Sequence, residues 1–454
     1  MPFILKEIHI TNFKSFKDIT VSLDRFNVII GPNASGKTNF VEFFKFLKKA
    51  LVERRRPYMP LIEWWSYHNV VWRGQDELPI GVEMNCEVDG FDVKYEVTFG
   101  AIAGTLRILS ERLEIADCLC LEREGQLLKI KHNEAFLKDN AADIEKMLAN
   151  FSRFLEVELR TERVEQKSLV NQTVNVSDTF TNLLNLELLE LPVTQRKISI
   201  SMIGRQYARQ EPEKDKAKLP SGIVIIPRKR AKGSQDYEYM DPLSSLLMNL
   251  RRAITGFTVV KHPNMQGMKT PSPPQETNVL FEDGTNLNNI LSNWMSEKQK
   301  LPDRIEVAMT ELFPNTQVGT TTTAQGEVFV KVYEKGLELN PPCIADGLYK
   351  ILGVLAAIEL KPSLLAIDEI ENSLHAKALK YIIDELRASG TTVVLTTHSP
   401  LVVDMVKLED LLIAEKTSEG TTLTKIKEPE KLRDKLAELN VTQSESWLYG
   451  DLKS

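Results

Sequence analysis

The stretch FNVIIGPNASGKTNFVEFF, Phe26 to Phe44, sets a run of buried-strand residues, a turn with glycine at both ends and a helix in immediate succession. Within it, GPNASGKT (Gly31 to Thr38) fits the pattern GxxxxGK[ST] in full, in the strand–loop–helix context the pattern requires. Backbone N–H groups of such a loop, with a helix N-terminus behind them, cradle phosphates. Lys37 is then placed to reach the β- and γ-phosphates, and the Thr38 hydroxyl to ligate Mg²⁺. The stretch by itself fits kinases, GTPases and motors alike.

Two later segments narrow it. LLAIDEIENSLH (Leu364 to His375) begins with four apolar residues that read as a buried strand, with Asp368 at its C-terminal end. Ligands of open α/β sheets bind at that edge. Asp368 is suited to hold Mg²⁺ through water, and Glu369 to act as general base on the attacking water. TVVLTTHSP (Thr392 to Pro400) is another buried strand, and His398 at its end is placed to sense or stabilise the γ-phosphate.

The 454-residue length suggests about two to three domains. Hydrophobic residues at 42% and charged residues at 26% are ordinary for a soluble globular chain. The net charge of −6 gives no global basic field, so any polyanion contact needs a local patch. Cys86, Cys118, Cys120 and Cys343 form no CxxC pair, which argues against a zinc site or a disulfide framework. MPFILKEIHITNF carries early charges and no long apolar core, unlike a signal peptide. The apolar run Ile351 to Ile358 is shorter than the ~20 residues a membrane span needs. These readings predict a soluble, cytoplasmic protein with no membrane partner.

Periodicity predicts strands at 3–10 and 19–30 and a helix at 37–52. In ERRRP, Arg54, Arg55 and Arg56 suit a helix C-terminus and Pro57 a stop, a phosphate-binding patch being the alternative. Residues 80–99 read as a hairpin around Asp89-Gly90, and 102–130 as further short strands. Helical periodicity follows from about 135, and RQEPEKDKAKLP (209–220) reads as a charged loop. Helices are expected at 242–256, 286–300 and 302–313, with an irregular loop at 261–277 and strands at 315–333. Helix 347–360, strand 363–367, helix 374–388, strand 391–396 and a short helix from Pro400 then alternate as a parallel sheet does. PRKRAKG (227–233) reads as a solvated loop or a contact for nucleic-acid phosphates. Trp64, Trp65 and Trp72 read as packing residues, stacking on bases being the alternative.

Taken together, the three motif segments resemble the ATP-binding-cassette ATPases of the RecF and SMC type, and more closely the stand-alone ATPases grouped with the OLD-family ATPase domain. ILKEIHITNFKSFKDITVSL near the start, FEDGTNLNNIL (281–291), IADGLYKILGVLAAIEL (344–360) and SESWLYGDL (444–452) carry the same resemblance. It is strong over roughly 1–110 and 315–454. The resemblance implies an α/β cassette head with a mixed or parallel sheet, an antiparallel β subdomain and a helical insert. The expected division is 1–134 as the N-terminal lobe, 135–310 as a mainly helical lobe and 311–454 as the C-terminal lobe. ATP would be the substrate and Mg²⁺ the cofactor.

By position, the resemblance implies that Lys14, and with it Phe16, lies near the nucleotide. Gly31, Pro32, Asn33, Ala34, Ser35, Gly36, Lys37, Thr38 and Asn39 would line the site, and Thr38 and Asp368 would hold the metal. Glu369, His398 and Lys37 would be catalytic, His398 as the switch histidine. Glu371 to His375 would cross a dimer interface, and Asp346 and Gly347 would read ATP on the opposite subunit. The signature usually has a serine where this chain has Ala345, which cannot donate to that γ-phosphate, whereas the Gly347 N–H still can. Gln75 is the candidate for the glutamine that couples nucleotide to the helical lobe.

The resemblance thus implies a homodimer or higher oligomer that sandwiches ATP and serves DNA repair or anti-phage defence, with double-stranded DNA or a separate effector such as a nuclease as partner. The 56 residues after His398 are too few for a further nuclease domain. The 331-residue separation of Lys37 and Asp368 argues against a compact transporter ATPase. A weakly hydrolysing scaffold that sequesters an effector remains the alternative.

Overall fold

The structure, a computed structural model, describes residues 3–52, 59–102, 104–115, 119–125, 127–133, 160–163, 169–175, 183, 224–228, 236–240 and 242–450. In chain order the first strands and helix are β1 (Phe3–Phe13), β2 (Phe16–Ser22), β3 (Phe26–Ile30), α1 (Lys37–Leu51), β4 (Ile80–Val88), β5 (Phe91–Ile102) and β6 (Thr105–Ile115). There follow β7 (Leu119–Glu124), β8 (Leu127–Asn133), β9 (Arg160–Arg163), β10 (Leu169–Asn175), β11 (Val224–Arg228), β12 (Asp236–Met240), α2 (Pro242–Thr255) and β13 (Phe257–Val260). Next come α3 (Met265–Lys269), α4 (Leu287–Lys298), α5 (Asp303–Leu312), β14 (Thr316–Thr322), β15 (Val328–Glu334) and β16 (Leu337–Leu339). The last third holds α6 (Asp346–Glu359), β17 (Leu364–Ile367), α7 (Ala376–Ala388), β18 (Thr392–Thr397), α8 (Pro400–Met405), β19 (Leu411–Thr417), β20 (Gly420–Lys425), α9 (Pro429–Leu439) and α10 (Gln443–Leu448).

The chain divides into two compact units. The larger comprises Pro2–Glu87, Asp92–Leu109 and Arg252–Ser454. Its centre is a six-stranded sheet in the order β13-β17-β18-β3-β19-β20. The first five strands are parallel and β20 closes the edge antiparallel to β19. Every residue of β3, β13, β17 and β18 is buried, which explains why these strands are mainly apolar without strict alternation: helices cover both faces of a parallel sheet. On one side α1 buries Phe40, Phe43, Phe44, Phe46 and Leu47, helical neighbours by spacing. Phe13 meets Phe43 edge-on at 5.3 Å and Phe46 at 5.2 Å, tying α1 to β1. On the other side α6 is buried from Leu348 through Ile358, and α7 packs against it. β2, β1, β4 and β5 lie side by side in a second sheet, and β14-β15-β16 form a small antiparallel third.

The smaller unit comprises Met1, Val88–Phe91 and Ser110–Arg251. Its described residues include the antiparallel neighbours β7, β8, β10 and β9, and the hairpin β11–β12. Glu111 is buried and accepts the backbone N–H of Leu183 and a bond from Arg123 at 3.0 Å.

The expected α/β architecture with its parallel sheet is the observed one. The Asp89-Gly90 turn joins β4 to β5 with φ of +52° and +86°, the left-handed pair a tight hairpin needs. Three readings need correction. The strand expected over 19–30 is split into β2 and β3, because the Asn27 side chain bonds the backbone N–H and C=O of Asp24 and turns the chain. The loop expected over 261–277 contains α3, started by the Asn264 side chain accepting the Gly267 N–H at 2.9 Å. The span 135–310, read as mainly helical, includes β9 to β13 among its described residues, and β13 belongs to the central sheet. Four residues are too short to display a period, so β13 gave no signal. Arg54, Arg55, Arg56, Cys118, the loop 209–220 and all of PRKRAKG beyond Arg228 fall outside the described residues.

Candidate functional site

The loop between β3 and α1 leaves the sheet at the C-terminal edge of a central strand. Gly36 caps α1 with φ +101° and no side-chain cap bond, so the first N–H groups of a 15-residue helix point to the loop's interior. A Cβ on Gly36 would lie 2.5 Å from Thr421 Oγ1 and 2.7 Å from Ser15 Oγ, so only glycine fits. Thr421 Oγ1 donates to the Ser35 carbonyl at 2.9 Å, and Asn39 donates to Ser15 at 2.8 Å. Pro32, Asn33 and Ala34 form the exposed crest, with Ala34 at φ +59°. Lys37 is buried and folds its ammonium back onto the carbonyls of Gly31 and Pro32, each at 2.9 Å. Burial pushes its pKa down, while Asp368, Glu369 and Glu371 pull it back up.

β17 delivers the acids. Asp368, 4% exposed, follows the last residue of β17, and its Oδ1 accepts from Thr396 at 2.5 Å and Thr38 at 3.2 Å. Its Oδ2 is buried without a partner among the described residues. An unpaired buried carboxylate oxygen is costly unless a cation completes it. With the Thr38 hydroxyl beside it, this donor set fits Mg²⁺, a hard ion that takes oxygen ligands.

Glu369 stands at φ +52°, with its N–H on Thr396 Oγ1 at 2.9 Å and its carbonyl on the Lys350 ammonium at 3.1 Å. Asn372 holds Glu369 Oε2 at 2.6 Å, leaving Oε1 facing His398 Nε2 at 3.6 Å. Glu371 Oε1 accepts the His398 backbone N–H at 2.7 Å. Thr38 and Asp368, 330 residues apart in the sequence, therefore meet at one sheet edge, with His398 facing Glu369 beside them.

The other candidates divide. Asp346 and Gly347 open α6 behind Ala345, which supplies no side-chain cap. Asp346 pairs with Lys269 at 2.7 Å, and a Cβ on Gly347 would lie 2.9 Å from the Ser373 carbonyl, so α6 begins against the turn after Glu371. Lys14 directs its ammonium to Glu42 of α1. Phe16 is fully buried against Phe40. Gln75 is exposed in the turn after Trp72. Trp72 is buried beneath Arg73, Trp64 packs on Phe46, and Trp65 is 90% exposed.

Sequence reasoning missed Lys350 and Thr396. Lys350 and Thr396 lay inside quoted segments, but nothing in a linear pattern shows that a buried Lys on α6 supports the Glu369 carbonyl.

The chain belongs to the family described as "AAA ATPase domain", whose model matches residues 4–255. A second model, whose description includes "AAA domain" and "Type IV TA system", matches 275–404. The DNA replication and repair protein RecF of Bacillus cytotoxicus is 39% identical over 61 residues, 13% of this chain. The chain thus matches 16% of that curated relative's length. Among solved structures, an SMC head bound to the C-winged helix domain of ScpA aligns with a TM-score of 0.46 at 9% identity, covering 95% of this chain and 99% of that one. The SMC head domain from Thermotoga maritima gives 0.39 at 11% identity, over 93% and 99%. The Pyrococcus furiosus Smc head with ScpA gives 0.43 at 10%, over 97% and 100%. No helix among the described residues is long and apolar enough to cross a membrane.

Proposed function

We propose that the chain is a Mg²⁺-dependent ATPase whose own site is formed by Gly31–Asn39, Asp368, Glu369 and His398. The observation that carries this reading is the buried, half-partnered Asp368 held against Thr38 at the mouth of a phosphate-binding loop. The loop amides and the α1 N-terminus bind phosphate oxygens. Lys37 releases two backbone carbonyls and neutralises the β- and γ-phosphates. Thr38 and Asp368 would hold Mg²⁺, which supplies charge stabilisation on the phosphate oxygens. Glu369 takes a proton from the attacking water as the water oxygen bonds to the γ-phosphorus and the bond to the β,γ-bridging oxygen breaks, giving ADP and phosphate. His398 orients that water or the γ-phosphate from beside Glu369.

Two chains would sandwich two nucleotides, with Asp346 and Gly347 of one head facing the phosphate loop of the other. A γ-phosphate that touches both heads favours the closed pair differentially. The name of the curated relative supports service in DNA repair, and the "Type IV TA system" description supports a defence role with a separate effector. A cytoplasmic protein acting on double-stranded DNA or beside a nuclease fits both. The second reading, a weakly hydrolysing scaffold that holds an effector, is favoured by Ala345, which offers no hydroxyl at the cross-dimer position. Solution mass measured with and without ATP separates the readings from a monomeric enzyme. Doubling with ATP, lost in Lys37→Ala, is expected; unchanged mass would remove the sandwich.

A further inference from the structure

The nucleotide site has a second cation that the motifs do not contain. β13 runs parallel to β17, with Val260 opposite Ile367. The Asp368 N–H donates to the Val260 carbonyl at 3.0 Å. The next residue, Lys261, therefore leaves the sheet beside Asp368, at the edge where parallel sheets bind ligands. Its ammonium lies on Oε1 of Glu42, and the Lys14 ammonium lies on Oε2 of the same carboxylate. Glu42 is four residues beyond Thr38 on α1, one turn along the same face. All three side chains are mostly buried. The nearby Lys45 is already matched by Glu63 and Glu282. One carboxylate thus serves two buried ammonium groups beside the metal-facing acid. Burial pushes both ammonium groups down, Lys14 to about 8, and Asp368 and Glu369 favour the charged form of Lys261.

We propose that Lys261 is a phosphate-contacting residue that distinguishes a nucleoside triphosphate from a diphosphate. In the free protein Glu42 holds it. When a γ-phosphate arrives, Lys261 transfers to it, while Glu42 keeps Lys14 as its partner. A diphosphate has no group at that position and leaves Lys261 on Glu42. The inference rests on the nucleotide site proposed above and adds a residue from β13 to it.

The test is calorimetric binding of a non-hydrolysable ATP analogue and of ADP, with Mg²⁺, to the full chain and to Lys261→Met, Lys261→Gln and Lys37→Ala. One charge-assisted hydrogen bond predicts a roughly tenfold loss of triphosphate affinity in Lys261→Met, with ADP affinity changed about twofold or less. Lys261→Gln, which keeps a donor and a similar stem, should fall between wild type and Lys261→Met. Retained ADP binding shows that each variant is folded. If neither variant alters the triphosphate-to-diphosphate ratio, the role of Lys261 is refuted. If Lys37→Ala abolishes binding in that same experiment, the nucleotide site stands without Lys261. If the wild type binds neither nucleotide, both proposals fall.

Discussion

Lys350→Met sets stability against function in a way the structure makes quantitative. Lys350 is 3% exposed on α6, and burial lowers its pKa to about 8 from 10.5, against the pull of Glu371, Glu369 and Asp368. At ~1.4 kcal/mol per pH unit, the fall from 10.5 to about 8 means that the fold at pH 7 carries a cost of about 3 kcal/mol to keep this ammonium charged. The sign follows from proton counting. Between pH 8 and 10.5 the unfolded chain binds the proton and the folded chain does not, so stability rises with pH across that window. Below pH 8 both states are protonated and the full cost applies. At pH 10 the cost has fallen to about 1 kcal/mol.

Methionine removes the charge and keeps the length, but strips the ammonium bond from the Glu369 carbonyl, which keeps the Asn372 N–H at 3.2 Å, a loss of about 1–3 kcal/mol. Lys350→Met is therefore expected to be as stable as wild type or up to about 2 kcal/mol more stable at pH 7, and to lose about 2 kcal/mol of that advantage by pH 10. The burial shift of Lys14 is present in both proteins and cancels in the difference. Urea unfolding of the nucleotide-free pair at pH 7 and pH 10 measures it. A difference that does not change with pH would refute the reasoning. ATP turnover should fall in the variant, because Glu369 in its left-handed conformation loses one of the three bonds that anchor its backbone.

Two further substitutions probe the loop and the acid. Gly36→Ala meets both a left-handed φ and the Thr421 and Ser15 hydroxyls, so a loss of about 2–5 kcal/mol is expected in thermal unfolding, together with loss of nucleotide binding. Thr396→Val keeps the shape of β18 but strips the 2.5 Å bond from Asp368 and orphans the Glu369 N–H. It should cost about 1–3 kcal/mol and weaken the Mg²⁺ dependence of binding, read by titrating the metal.

The parts of the site that were legible in the sequence are those carried on contiguous strand–loop units. Gly31–Thr38, Asp368-Glu369 and His398 each follow a short buried run, so each places itself at a sheet edge without knowledge of its neighbours. That the edges coincide depends on strand order, which only the pairing of β17, β18 and β3 establishes. β19 and β20 went unread because GTTLTK carries a weak pattern and the preceding strand is only partly apolar. Lys261, Lys350 and Glu42 were invisible for a deeper reason. Their roles come from side chains meeting across α1, β13, α6 and β17, and a lone Lys or Glu on an amphipathic element looks like a solvated residue until its burial is known.

The central claim is that Glu369 is the base of an ATP-hydrolysing site built on Lys37 and Asp368. Phosphate release and ATP binding, measured side by side with Mg²⁺ for wild type and Glu369→Gln, test it most directly. The account predicts wild-type turnover, with ATP still bound by Glu369→Gln and its turnover reduced by a factor on the order of a hundred or more. Turnover left unchanged by Glu369→Gln would contradict it.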